Sequence, residues 1–377
     1  MAGIYLHIPF CKTRCIYCDF YSTTRSELTD QYIDALCDEL TQRKDYLQEE
    51  PVHTIYFGGG TPSQLSERHF QRVFHTIEKT VGLEQVIEVT LEANPDDLTE
   101  DYIRMLRTLP FNRISMGIQT FHEDTLHLLH RRHTAKQAIW AVERCRKAGF
   151  QNISIDLIYG LPGETDQRWQ QDLLQAIQLQ VEHISAYHLI YEEDTPLYQM
   201  LQQHRVEEVD EDSSLRFFSI LMNRLKEAGY EHYEISNFCK PGYHSRHNSS
   251  YWQGIPYLGC GPSAHSFNGK SRQWNIASLT RYIQGIQEGN CIYETEQLDL
   301  YTRYNECVMT GLRTLEGINL FHLKQTFGPE LWKYCLKMAA IYLQNGQLEI
   351  QNDHLRLTQE GIFISDGIMS NLMYIED

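Results

Sequence analysis

The sequence predicts an α/β protein: a partial, open (β/α)6 barrel followed by a smaller, mainly helical C-terminal domain. Three observations carry this expectation. Up to about residue 190, short β-rich runs alternate six times with segments of helical periodicity, the pattern of parallel strands joined by crossover helices. Six units fall short of the eight that close a full barrel. Past residue 190 the alternation fades, first into a Gly-, Pro- and aromatic-rich stretch and then into a mostly helical remainder.

The strands are expected at Ile4–Ile8, Thr54–Phe57, Val86–Leu91, Arg113–Ile118, Ile153–Ile158 and His183–Leu189, each rich in β-branched or aromatic residues. The first helix places Tyr32, Ile33, Leu36, Cys37 and Leu40 on one face, with Thr29 as its N-cap. Helical spacing recurs over Glu67–Thr80, Glu100–Leu109, Glu123–Leu129, Ala135–Ala148, Gln167–Gln178 and Ser213–Ala228. Further on, helices are expected at Tyr301–Leu312 and Pro329–Leu343, then a hairpin over Leu348–Leu357 and a last helix. The domain limits follow as 1–235 for the barrel core, 236–275 for a connecting segment and 276–377 for the C-terminal unit.

Composition narrows the function. The 377 residues carry a formal charge of −17, and a chain this acidic repels phosphate backbones unless its basic residues gather on one face. They do not, so nucleic acid is not an expected partner. No apolar run reaches the roughly 18 residues of a transmembrane helix, and Met1–Phe10 has neither a basic leader nor a secretory signal's apolar segment. A cytosolic protein is expected, in which the ten cysteines are free thiols or metal ligands. Seven are scattered and read as small buried apolar side chains.

The other three form Cys11-Lys-Thr-Arg-Cys15-Ile-Tyr-Cys18, a C-x3-C-x2-C loop directly after the first strand. Three thiolates on one loop can hold three corners of a [4Fe–4S] cubane. The fourth iron is then open to a chelating ligand, such as the amino and carboxylate groups of S-adenosylmethionine. A structural zinc site completed by His7 is the alternative. Polar or Gly-rich signals recur where the strands end, the face on which barrel enzymes assemble their sites. They are Gly58-Gly59-Gly60-Thr61-Pro62, Glu92-Ala-Asn94-Pro95, Gln119, Asp156 and Gly160-Leu-Pro162. A glycine loop lets backbone N–H and C=O groups approach an amino-acid moiety closely. Taken singly, each of these is equally an ordinary turn or a helix-capping residue.

With Tyr5-Leu-His7-Ile-Pro9-Phe10-Cys11, the cysteine triad, the glycine loop, Met116-Gly-Ile-Gln119-Thr-Phe121 and Asp156-Leu-Ile-Tyr-Gly160-Leu-Pro162, nearly the whole chain resembles the radical S-adenosylmethionine superfamily. Within it, the similarity is to the branch of oxygen-independent coproporphyrinogen III oxidase and the heme chaperone HemW. The resemblance implies a cluster on Cys11, Cys15 and Cys18, with S-adenosylmethionine contacted by Tyr5, Tyr17, Gly59, Gly60, Thr61, Glu92, Gln119, Arg131 and Asp156. Arg132 is the neighbouring alternative to Arg131.

The oxidase pattern CxxxCxxCxC continues to a fourth cysteine where this chain has Asp19 and Phe20, and only four residues precede Tyr5 in place of the oxidase's N-terminal extension. The chaperone branch lacks both features and carries H-N-x-x-Y-W, present here as His247-Asn248-Ser-Ser-Tyr251-Trp252. The resemblance therefore implies a protein that binds heme and hands it to acceptor proteins, with an electron donor protein for the cluster. His247 would ligate the heme iron while Tyr251 and Trp252 pack on the porphyrin; on chemistry alone the motif reads better as a polar turn before a packed segment, and only the resemblance reverses this. Cys260 and His265, in Gly259-Cys260-Gly261-Pro262-Ser263-Ala264-His265, are further ligand candidates. The implied alternative is radical oxidative decarboxylation of porphyrinogen propionates, and a zinc-stabilised protein without redox function is the third reading.

Overall fold

The computed structural model describes residues 1–48, 50–291 and 293–375. Its first half is the expected alternation. Strand β1 (Ala2–Ile8) is followed by α1 (Thr29–Gln42), β2 (Val52–Gly59), α2 (Glu67–Thr80), β3 (Glu88–Ala93) and α3 (Glu100–Leu106). Then come β4 (Arg113–Gln119), α4 (Glu123–Leu128), α5 (Ala135–Lys147), β5 (Ile153–Tyr159), α6 (Asp166–Gln178) and β6 (His183–His188). The six strands pair in parallel and in chain order. One face of each strand is apolar, with Ile4, Leu6, Phe57, Ile114, Met116, Ile155 and Leu157 all fully enclosed, and these residues alternate with the polar or glycine residues Tyr5, Thr90, Ser115, Gly117, Ser154 and Asp156 on the other face.

One expected detail of α1 differs. Thr29 is the first helical residue and its hydroxyl donates to the Ser26 carbonyl, while Leu28 takes the cap position with no side-chain bond. A short 3-10 turn over Ser26–Leu28 feeds the helix directly and leaves no place for a threonine cap.

Helices α7 (Pro196–Gln202) and α8 (Glu211–Glu227) follow, and Trp169 of α6 donates its indole N–H to the Phe217 carbonyl of α8 at 2.9 Å. The segment expected to be a mere connection then builds sheet. Its β8 (Asn237–Cys239) forms a hairpin with the preceding β7 (Glu231–Glu234) and pairs antiparallel with β6. Past α9 (Arg246–Trp252), β9 (Tyr257–Cys260) lies parallel to the outer edge of β1. Strands β10 (His265–Phe267) and β11 (Ser271–Asn275), helix α10 (Leu279–Gln287) and strand β12 (Tyr293–Gln297) complete that side. The sheet is open, in the order β12-β11-β10-β9-β1-β2-β3-β4-β5-β6-β8-β7. These added strands are only three to five residues long, too short to show period-2 alternation in sequence.

The remainder has its own core. Helices α11 (Leu300–Leu312) and α12 (Leu320–Gln344), the small sheet β13 (Ile318–Asn319), β14 (Leu348–Gln351) and β15 (His354–Leu357), and helices α13 (Gln359–Ile362) and α14 (Ser365–Leu372) enclose Tyr304, Leu323, Cys335, Leu355 and Ile368. Helix α12 is broken at Gly328 (φ 84°), so Pro329 starts a new helix at the one position where its missing N–H costs nothing. This unit is tied to β7 by Arg313, which donates two hydrogen bonds to buried Glu234 at 3.0 and 2.7 Å. Among the described residues no helix is long and apolar enough to cross a membrane.

Candidate functional site at the barrel mouth

The cysteine loop is fixed from below by Ile16. Flanked by Cys15 and Tyr17, its side chain is buried in a small cluster with Leu129, Ile158, Leu161, Leu189 and Leu197, a contribution of roughly 1.5–3 kcal/mol. Backbone bonds hold the rest: Cys11 N–H donates to the Thr23 carbonyl at 2.9 Å, and Ile16 N–H to that of Leu129 at 3.4 Å. Asp97 links three neighbouring segments, accepting from Lys12 of the loop, from Ser63 and Gln64 beyond the glycine run, and from Arg132.

Two side chains reach the sulfurs. The Thr61 hydroxyl donates to Cys11 Sγ at 3.4 Å, and Arg131 Nη1 donates to Cys15 Sγ at 3.3 Å. Arg131 Nη2 meanwhile holds the Asn94 side chain at 2.7 Å and the Gly117 carbonyl at 2.5 Å. Arg132 turns the other way, to Asp96 and Asp97. Burial pushes the Cys11 thiol up and that of Cys18 to about 11, so ionisation here needs a cationic partner.

Among the described residues only Glu231, Cys239 and His244 bring three ligand atoms within 4.8 Å of one another. At least one pair of the three loop sulfurs therefore stands more than 4.8 Å apart, beyond the ~3.8 Å that a tetrahedral zinc with ~2.3 Å bonds imposes on its thiolates. His7, the expected fourth zinc ligand, is already engaged: its Nε2 bonds the Tyr21 carbonyl at 2.8 Å and its Nδ1 the Tyr5 hydroxyl at 3.2 Å. The spacing and the facing cation suit a multi-iron cluster.

The glycine loop is cut to shape. Gly59 has φ 103°, and a Cβ there would stand 2.7 Å from the His7 ring; one on Gly60 would meet the Pro9 backbone at 2.8 Å. Gly59 N–H donates to Glu92 Oε2 at 3.2 Å, while Glu92 Oε1 accepts from the Tyr56 hydroxyl at 2.7 Å. Burial, with the nearby Asp156 charge, pushes the Glu92 carboxyl up to about 7. Asp156 is itself pushed to about 6 by burial, against the opposing pull of Ser185, Arg113 and Arg131. Gln119 sits at φ 72° where β4 slips register against β5, a bulge that re-aims a strand end. Tyr5 and Tyr17 are both half-buried, Tyr5 packing on Tyr56 and Tyr17 lying close to Arg131 and Cys15. The residues expected to contact S-adenosylmethionine thus gather around one end of the sheet.

Arg113 escaped the sequence reading. It is 1% exposed, and its Nε and Nη1 have no hydrogen-bond partner among the described residues. Its charge opposes the rise in the Glu92 and Asp156 values, so a buried cation balances two buried carboxylates inside the barrel. An arginine at the edge of the run Arg113–Ile118 looks like a strand boundary; only its depth reveals it.

The His247 motif divides. His247 is 1% exposed, with Nδ1 on Thr54 Oγ1 at 2.9 Å and Nε2 on the Tyr251 hydroxyl at 2.8 Å. Its ring packs against those of Tyr5 and Tyr56, which also pack on each other, and burial drives its pKa down to about 3. Both ring nitrogens are occupied, so iron ligation would require displacing Tyr251. Tyr251 and Trp252 do line a cavity of about 1240 Å³ that extends from Tyr5 and His7 at the barrel mouth to α11 and α12. Cys260 is fully buried and is not among the residues lining this cavity, whereas His265 is.

Known proteins match this arrangement. Residues 5–176 match the radical SAM superfamily and residues 298–364 the HemN C-terminal domain. The heme chaperone HemW of Bacillus subtilis is 32% identical over 371 residues, covering 98% of both chains. That of Lactococcus lactis is 33% identical over 369 residues, covering 98% of this chain and 96% of the relative. The solved structure of coproporphyrinogen III oxidase (HemN) from Escherichia coli superposes with a TM-score of 0.85 at 23% identity, over 99% of this chain and 90% of that one, and so shares the fold. The superfamily to which the N-terminal match points implies a [4Fe–4S] cluster and S-adenosylmethionine. With its relatives matched end to end above 30% identity, the chain belongs to the HemW family of the radical SAM superfamily.

Proposed function

We propose that this chain is a heme chaperone: it holds heme in the cavity between the barrel mouth and the C-terminal helices and passes it to acceptor proteins. Cys11, Cys15 and Cys18 hold a [4Fe–4S] cluster, and Tyr5, Tyr17, Gly59, Gly60, Thr61, Glu92, Gln119, Arg131 and Asp156 surround S-adenosylmethionine. The observation that carries the reading is the cavity, about 1240 Å³ and walled by Tyr251, Trp252, Tyr257, Phe267 and Phe327, a size and aromatic character suited to a flat macrocycle. Full-length similarity to proteins named as heme chaperones supports it. So does Phe20 at the position of the oxidase's fourth cysteine.

The bound cluster supplies low-potential electrons that can be passed to S-adenosylmethionine. The chain supplies the rest. Thr61 and Arg131 stabilise the thiolates, and Gly59 and Gly60 open backbone to the amino-acid moiety. Glu92 and Asp156, whose carboxyls burial raises to about 7 and about 6, bind protons more tightly than ordinary carboxyls and release them as a cationic ligand approaches. In this reading 1–235 is the cluster-bearing core, 236–275 carries the aromatic wall and 276–377 closes the cavity. The partners are an electron donor protein and heme-accepting proteins, and the setting is the cytoplasm, where ten thiols stay reduced.

The test adds heme and coproporphyrinogen III separately to the anaerobically reconstituted protein. Stable heme uptake and transfer without porphyrinogen turnover is the expected result. Turnover with release of 5′-deoxyadenosine would replace this reading with the decarboxylase.

A further inference from the structure

The histidine that should meet iron is a different one from the motif's. Five histidines line the cavity, and four are engaged. His7 bonds Tyr5 and Tyr21, His244 bonds Glu231, His322 bonds Thr326, and His354 bonds Asn352 and Asn319. His265 has no hydrogen-bond partner on either ring nitrogen among the described residues and is exposed to the cavity.

Its direction follows from strand alternation. On β10, Ser266 is fully buried, with its hydroxyl on the Gly259 N–H at 2.9 Å and accepting from Arg43 at 3.1 Å. Its neighbours His265 and Phe267 must therefore face the other side, which is the cavity side. In the antiparallel pair with β11, His265 stands opposite Trp274 and Phe267 opposite Arg272. One face of this hairpin thus carries an imidazole, two aromatic rings and a guanidinium.

The hairpin is also rigid. Buried Glu39 accepts from Arg43 at 2.9 Å, Asn275 at 2.7 Å, Tyr282 at 2.6 Å and the Gly261 N–H at 2.8 Å, and Arg43 continues to the Gly259 carbonyl. A satisfied buried network of this kind fixes the loop that presents His265. Arg303 of α11 also lines the cavity, without a carboxylate partner among the described residues, whereas Arg272 is paired with Glu306 of the same helix at 2.8 Å.

We propose that His265 is the axial ligand of heme iron in this chain, with Arg303 as the free cation for a propionate. This rests on the heme-binding reading above and assigns its ligand. A neutral imidazole with a free nitrogen on a fixed strand is the donor that heme iron takes from proteins. An unpaired guanidinium is the group that binds carboxylates in fork geometry.

The test uses the full chain, anaerobically reconstituted, titrated with hemin and followed by absorption and by electron paramagnetic resonance of the ferric heme. Wild type and His247→Gln, which can keep the bonds to Thr54 and Tyr251, are expected to show an imidazole-ligated heme. His265→Ala is expected to lose that signature and at least tenfold in affinity, with added imidazole restoring the spectrum. His265→Gln serves as the second variant should alanine impair folding. Arg303→Met should weaken hemin binding without changing the ligand spectrum, and should not weaken binding of the dimethyl ester. An unchanged spectrum in both His265 variants would overturn the assignment, whatever His247→Gln does. Failure of the wild type to take up hemin would remove the heme-binding reading itself.

Discussion

Arg131 and Cys15, 116 residues apart in sequence, meet at 3.3 Å through guanidinium and sulfur. A cation so placed stabilises the thiolate that a metal cluster needs, and a hydrogen bond to a charged group contributes about 1.5–3 kcal/mol. Arg131→Met should therefore cut iron and sulfide retained per chain after anaerobic reconstitution by about tenfold at limiting iron. Arg132→Met, which only frees Asp96 and Asp97, should leave the content near wild type. Equal losses in the two variants would mean that the contact with Cys15 has no special role.

Glu92 makes apo stability pH-dependent. Its folded value of about 7 lies above the ordinary 4.5, so the folded state binds its proton more tightly than the unfolded chain. That stabilisation is complete below pH 4.5 and is lost as pH rises through 7. Asp156 acts in the same direction, between 3.8 and about 6. The ligand-free protein should lose stability from pH 5 to pH 8. Glu92→Gln should flatten the profile and be more stable at pH 8 by about 1–3 kcal/mol in denaturant unfolding. A destabilised Glu92→Gln at pH 8 would show that the carboxylate is ionised and paired in the fold.

The barrel was legible because its strands carry apolar residues at every second position and its helices are amphipathic: Ile114, Met116 and Ile118 and the face of Tyr32, Leu36 and Leu40 announce themselves. The cysteine loop was equally plain, three thiols in eight residues. The strands of 236–275 were hidden by their length, and with them the parallel pairing of Tyr257–Cys260 on β1. Depth is the other thing a sequence conceals. Arg113 and Glu39 look like surface charges in their runs, yet are 1% and 0% exposed. His247 and His265 are alike as letters, and only their hydrogen bonds separate a packed imidazole from a free one.

Glu39 supplies a third prediction. It is the carboxylate that compensates buried Arg43, and it also holds Asn275, Tyr282 and the Gly261 N–H. Removing one member of a buried pair strands the other charge, at about 3–5 kcal/mol. Glu39→Ala should lower the unfolding free energy by that amount, whereas the exposed pair of Arg104 and Asp101 should be replaceable within about 0.5 kcal/mol. A Glu39→Ala protein of unchanged stability would mean that water replaces the network.

Gly59 gives the sharpest test of the site. At φ 103° any L side chain is strained, and its Cβ would press to 2.7 Å from the His7 ring, which cannot retreat while bonded to Tyr5 and the Tyr21 carbonyl. The combined backbone and steric cost is about 2–4 kcal/mol, and relief requires moving the loop away from β1. Gly59→Ala should therefore bind S-adenosylmethionine at least tenfold more weakly by calorimetry in the reconstituted protein while retaining its iron, because the cysteine loop is anchored separately through Ile16 and Thr23. Gly149→Ala is the control: it too has positive φ, 95°, but its Cβ meets nothing within 4 Å. It should cost stability alone, about 1 kcal/mol, with binding unchanged. Equal binding losses in the two variants would trace the effect to global destabilisation and detach the glycine loop from the cofactor.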